Sequence, residues 1–127
     1  MATTRILIME DDDDTQGMVR FLLEYRGYDV LVAKDGKHGL EIARNEKPDL
    51  ILLDLAMPEM DGLSVAHKLK GDPATQEIPV IAVTAYTMSS DRRMAMNAGC
   101  DGFIAKPMNV PEFIAEVEKF LGKSKIA

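Results

Sequence analysis

Residues 48–63 read PDLILLDLAMPEMDGL, and the first half of that stretch decides the fold. Leu50 to Leu53 form an unbroken apolar run that ends on Asp54. A strand with one wet face alternates. A strand apolar on both faces is covered on both, as in a parallel sheet flanked by helices. The acid at the end of the run is informative too, because a carboxylate there is costly to desolvate unless it is paired.

Working outward, "RILIM" (5–9) and "IPVIAVT" (78–84) are nearly as apolar as "DLILLDL" (49–55). "YDVLVA" (28–33) is mixed and reads as an edge strand, and "GFIA" (102–105) is the fifth strand. Helical patterns fill the gaps. From about Asp14 to Arg26, Met18, Val19, Leu22 and Tyr25 fall on one face, with Gly27 as the C-cap. Asp35 caps a second helix running to about Glu46, ahead of Pro48. A third carries Leu63, Val65, Ala66 and Leu69 and stops at "GDP" (71–73). A fourth spans about 89 to 98 and ends at Gly99. In the fifth, Asn109 is the cap, and Val110, Phe113, Ile114, Val117, Phe120 and Leu121 keep helical spacing. Strand then helix, five times, is an α/β pattern. Right-handed crossovers make it a doubly wound five-stranded parallel sheet with five flanking helices. The periodicity leaves the strand order open.

The 127 residues suit a single domain, 1–127, with its core over about 5–121. A net charge of −6 argues against nucleic acid and against anionic lipid as partners. No apolar run is long enough to span a bilayer, and "MATTR" does not open a signal peptide. A cytoplasmic protein with no nucleic-acid or membrane partner is expected. Cys100 is the only cysteine, so no internal disulfide can form, and it reads as a small core residue.

Ligands of open α/β sheets bind outside the carboxyl ends of the strands. The first strand exits into Glu10 and Asp11, the third delivers Asp54, the fourth ends at Thr84, and the fifth meets Lys106. Each has a plain reading alone. Asp13 and Asp14 would serve the start of the first helix, Thr84 would be a strand-end hydroxyl, and Lys106 a surface lysine. Together, four strands aim polar groups at one edge. Carboxylates about 4 Å apart repel by several kcal/mol at an effective dielectric near 20, and a bound cation reverses that sign. Oxygen ligands without His or Cys suit Mg²⁺ or Mn²⁺. Adding Lys106 and Thr84 makes the site fit for a phosphoryl group. The first strand–helix turn holds no GxGxxG or GxxxxGK[ST], so nucleotide sites of those kinds are unsupported. His38 and His67 read as exposed helix residues.

The segments "ILIMEDD", "PDLILLDLAMPEMDGL", "IPVIAVTA" and "GCDGFIAKP" resemble, in order and spacing, the receiver domain of bacterial two-component response regulators. The resemblance covers Arg5 to about Leu121. It implies a flavodoxin-like strand order 2-1-3-4-5, and it implies roles. Asp54 would be the phosphoacceptor. Asp11 would be the direct metal ligand, Glu10 would act partly through water, and the Ala56 carbonyl would be the backbone ligand. Thr84 would be the switch hydroxyl and Lys106 the lysine at the phosphoryl group, ahead of a cis bond to Pro107. Pro58 and Gly62 match the loop after the acceptor. Phe103 stands where Tyr is common, so that part of the switch must work by packing. Ala56 and Tyr86 flank the phosphoryl position, and an apolar Ala56 cannot place an attacking water, which implies slow self-dephosphorylation.

The family reading makes the chain a phosphoacceptor rather than an enzyme proper. Its donor would be a sensor histidine kinase or a histidine phosphotransfer protein. Its downstream protein target would meet the face of the fourth helix, fifth strand and fifth helix, with Met88, Met94 and Met96 as adaptable contacts or core fillers. Only six residues follow the fifth helix, so a stand-alone receiver of the cell-cycle-regulator kind is expected. The alternatives are a receiver-fold interaction module working without phosphorylation, and a flavodoxin-like cofactor binder.

Overall fold

The apolar runs become strands, and their exits set the site. A computed structural model of the chain describes residues 3–56, 61–85 and 89–121. Pro58, Tyr86 and Met88 therefore lie outside the described residues. The strands are β1 (Arg5–Met9), β2 (Asp29–Ala33), β3 (Leu50–Asp54), β4 (Val80–Thr84) and β5 (Gly102–Ala105). They alternate with α1 (Asp13–Tyr25), α2 (Gly36–Glu46), α3 (Gly62–Gly71), α4 (Ser89–Asn97) and α5 (Val110–Leu121). All neighbouring strands are parallel, in the order β2-β1-β3-β4-β5. The fold is the flavodoxin-like doubly wound sheet.

Burial follows the composition of the strands. Every residue of β3 and β4 is buried, whereas the mixed β2 lies at the edge with only Ala33 buried. One face packs Ala43 of α2, Val65, Ala66 and Leu69 of α3, and Ala95 of α4 against the sheet. The other packs Val19 and Leu23 of α1 with Phe113 and Val117 of α5. Phe113 is the largest fully buried side chain among the described residues. Cys100 is buried, and His38 and His67 are exposed, as expected.

The inward face of α1 differs from the sequence reading. Val19 and Leu23 point into the core, while Met18, Phe21 and Tyr25 are exposed, Tyr25 by 83%. Two apolar stripes run along this helix a residue apart, and periodicity cannot tell which one the sheet claims. Phe21 and Tyr25 stack on each other on the outer stripe, ring centroids 6.3 Å apart. Val110, the first residue of α5, is likewise exposed.

The helix boundaries have local causes. Asp12, Asp35 and Asp61 cap α1, α2 and α3 by accepting from backbone N–H groups. Asn109 Oδ1 accepts from the Glu112 N–H at the start of α5. Gly27 and Gly99 follow α1 and α4 with φ of +93° and +106°, the left-handed region glycine enters without strain. At the amino end of the sheet, Lys70 Nζ donates to the carbonyls of Gln76 and Ile78 and pairs with Asp101 at 2.9 Å. The same Asp101 carboxylate accepts the Val80 N–H at 2.8 Å.

Gly62 and Gly17 call for opposite predictions. A Cβ on Gly62 would come within 2.4 Å of Leu55 Cα, directly after β3. A Cβ on Gly17, exposed within α1, would meet nothing within 4 Å. Gly62→Ala should therefore destabilise by about 1–3 kcal/mol through overpacking. Gly17→Ala should stabilise by about 0.5–1 kcal/mol. Chemical denaturation of the two variants tests the pair, and a neutral Gly62→Ala would contradict the contact.

Candidate functional site

The carboxyl edge of the sheet gathers the polar strand exits. Carboxylate oxygens of Glu10, Asp11 and Asp54 lie within 4.8 Å of one another. Glu10 and Asp54 are 4% and 6% exposed, and Asp11 faces solvent. Lys106 reaches across from beyond β5, its Nζ donating to Glu10 Oε1 at 2.9 Å and lying 3.5 Å from Asp54 Oδ2. The Lys106–Pro107 peptide is cis. Thr84 is fully buried at the end of β4, and its carbonyl accepts the Lys106 N–H at 2.8 Å. The other Asp54 oxygen, Oδ1, accepts the Ala56 N–H at 3.0 Å. Ala56 thus folds back over the acid that precedes it. Glu10, Asp11, Asp54, Ala56, Thr84 and Lys106 all sit at this edge, as their places at the strand ends require.

The family model of the response regulator receiver domain matches residues 6–118. The chain belongs to that family. Receiver domains are signalling phosphoacceptors of two-component systems rather than classical enzymes, and that coarse function comes with membership. The chain is 40% identical over 117 residues to the polar-differentiation response regulator DivK of Brucella anthropi, covering 92% of this chain and 95% of DivK. A response regulator structure from Chloroflexus aurantiacus superposes with a TM-score of 0.91 at 27% identity, covering 95% of this chain and 99% of that one. The receiver domain of sensor histidine kinase PA1611 from Pseudomonas aeruginosa gives a TM-score of 0.88 at 29% identity, again covering 95% and 99%. That structure has a magnesium ion coordinated in its active site cleft. This receiver is DivK-like, and no described helix is long and apolar enough to cross a membrane.

The donor set of the receiver suits the ion its family binds. Three clustered carboxylates with no His or Cys are hard ligands, matched to Mg²⁺. The electrostatics carry the same message. Glu10 is pushed up from 4.5 to about 7. Burial is the largest cause, and Asp54 adds to it, while Lys106 and the Asp12 N–H pull the other way. Burial opposes the Lys106 charge too, but Glu10 and Asp54 outweigh it and raise the ammonium above its ordinary value. One cation is shared among crowded anions, and a second would relieve the rest.

The acidic run divides its work. Glu10 and Asp11 serve the cluster, Asp13 pairs with Lys34 at 2.5 Å, and Asp12 is the cap, accepting from Thr15 N and Oγ1. Two supports escaped the sequence reading. The Asp12 N–H donates to Glu10 Oε2 at 3.2 Å, and Gln16 Nε2 donates to the Glu10 carbonyl at 3.0 Å. Asp12 was discoverable, since an Asp three residues before Thr15 is a capping pattern. Gln16 carries no such signature, because its partner is a backbone atom six residues earlier.

Folding raises the Glu10 pKa, so the folded state holds that proton more tightly. The resulting stability is complete below the unfolded value of 4.5 and is lost as pH rises through about 7. In the presence of a chelator, the melting temperature should fall between about pH 5 and about pH 8. Glu10→Gln should flatten that fall. Equal slopes in the two proteins would show that Glu10 does not titrate in this way.

Proposed function

We propose that this receiver accepts a phosphoryl group on Asp54 from a phosphohistidine of a sensor histidine kinase or histidine phosphotransfer protein, in the cytoplasm. The observation that carries the reading is the meeting of three carboxylates and one ammonium at a single sheet edge, from residues up to 96 apart in sequence. Asp11, Asp54 and the Ala56 carbonyl would hold the divalent ion directly, and Glu10 partly through water. When bound, Mg²⁺ or Mn²⁺ neutralises the acids and draws charge from the phosphoryl oxygens.

The chain's own groups do the rest. An Asp54 carboxylate oxygen forms the new bond to phosphorus as the P–N bond to imidazole breaks. The electron pair leaves on that nitrogen, and the ring keeps its other proton and departs neutral. Lys106 offsets charge on the transferring group. Thr84 then moves toward a phosphoryl oxygen, and the Phe103 ring fills the space behind it. Phe103 is opposite Ala82, and Ala105, two residues further along β5, is opposite Thr84, so Thr84 and Phe103 lie on adjoining strands. The target-binding face is α4, β5 and α5. Met96 is 42% exposed on α4, which supports its use as a contact, whereas the exposed Met94 borders α3 beside Leu63 and His67.

Incubation with acetyl phosphate and Mg²⁺ should add one phosphoryl group, alkali-labile, absent from Asp54→Asn and blocked by a chelator. No gain under these conditions would favour an interaction module that works without phosphorylation. The lifetime of the product reports on Ala56. A methyl cannot orient water, so Ala56→Asn should shorten the lifetime of the aspartyl phosphate, followed by loss of label. An unchanged lifetime would remove Ala56 from the account of slow dephosphorylation.

A further inference from the structure

The Glu10–Asp11 step lies just past the last pair of both β1 ladders, Met9 with Ala33 and Met9 with Leu53. The Glu10 N–H still reaches the β2 edge, donating to the Ala33 carbonyl at 2.9 Å. Its carbonyl accepts Gln16 Nε2 at 3.0 Å, and its carboxylate accepts the Asp12 N–H at 3.2 Å. Gln16 is itself fixed in the first turns of α1, its N–H donating to the Asp12 carbonyl at 2.9 Å.

Asp11 sits between these two tethers. A peptide unit is planar. Tying the Glu10 carbonyl therefore fixes the plane before Asp11 Cα, and tying the Asp12 N–H fixes the plane after it. Asp11 depends on its backbone for its place. It is the exposed member of the cluster, and among the described residues its carboxylate has no hydrogen-bond or ion-pair partner. Glu10 and Asp54, by contrast, are both held by Lys106. We infer that Gln16 is a positioning residue for the divalent ion: by holding the Glu10 carbonyl it fixes where Asp11 presents its carboxylate, and so favours Mg²⁺ over Ca²⁺. The inference rests on the reading of Asp11 as a direct metal ligand. Mg²⁺ demands near-octahedral geometry at about 2.0–2.1 Å, whereas Ca²⁺ accepts longer bonds in flexible arrangements. Loosening the backbone under one ligand therefore costs Mg²⁺ more than Ca²⁺. Removing a group that orients a metal ligand typically costs about 10- to 100-fold in affinity.

Titration of the folded protein with Mg²⁺ and with Ca²⁺, followed by backbone amide resonances, tests this. Gln16→Met keeps the length of the side chain and loses the donor. Gln16→Glu keeps the shape, loses the donor and adds a negative charge. Both should weaken Mg²⁺ binding by about 10- to 100-fold and Ca²⁺ binding by less. A residue acting through charge alone would instead make Gln16→Glu bind Mg²⁺ more tightly than the parent. A residue that only stabilises α1 would lower the melting temperature in chelator and leave both affinities of the folded protein unchanged. Either of those results, or an equal loss for the two ions, would overturn the inference. A metal-free readout is hydrogen exchange. The Gln16 side-chain amide protons should exchange more slowly than those of the exposed Gln76, and equal rates would remove the tether. A parent protein that binds neither ion would overturn the reading of Asp11 as a ligand, and this inference with it.

Discussion

A single ammonium group makes the carboxyl edge of this sheet tolerable. Lys106 touches Glu10 and approaches Asp54, two almost completely buried acids, one just past the end of β1 and the other at the end of β3. Without it, each carboxylate would be desolvated beside a like charge. With it, the cluster is strained but stable, and Glu10 shows the strain in its reluctance to ionise. The site is therefore poised rather than satisfied. It has an unmet demand for positive charge, which a hard cation would meet.

The sheet exists to hold that arrangement. Parallel strands buried on both faces cannot carry polar groups along their length, so the chemistry is pushed to their ends. Among the described residues, those that follow β1 and β3 are tied by hydrogen bonds and close contacts. Ala56 N–H turns back to Asp54, Gly62 packs against Leu55, and Asp12 and Gln16 hold Glu10 from the first turns of α1.

Much of this was legible in the chain. The near-continuous apolar runs locate β1, β3 and β4 to within two residues, the other two strands fall as close to their expected places, and the acids and lysine that follow the strands meet at one edge. The family resemblance supplied the strand order, which periodicity left open, and the sheet has that order. Two classes of fact stayed hidden. One was the choice between the Met18–Phe21–Tyr25 stripe and the Val19–Leu23 stripe of α1, because both have helical spacing and only the sheet decides. The other was contact between distant side chains, such as Arg92 on Phe103 and Arg26 on Glu118, where neither sequence position names its partner.

The two ends of the sheet differ in how they are bound. At the amino end, Lys70 grips two carbonyls and Asp101, and Asp101 grips the first N–H of β4. That knot joins α3, β4 and the approach to β5 with groups that carry no signal. Severing it would untie α3 from β4 and the start of β5 while leaving the carboxylates at the far edge with their own partners.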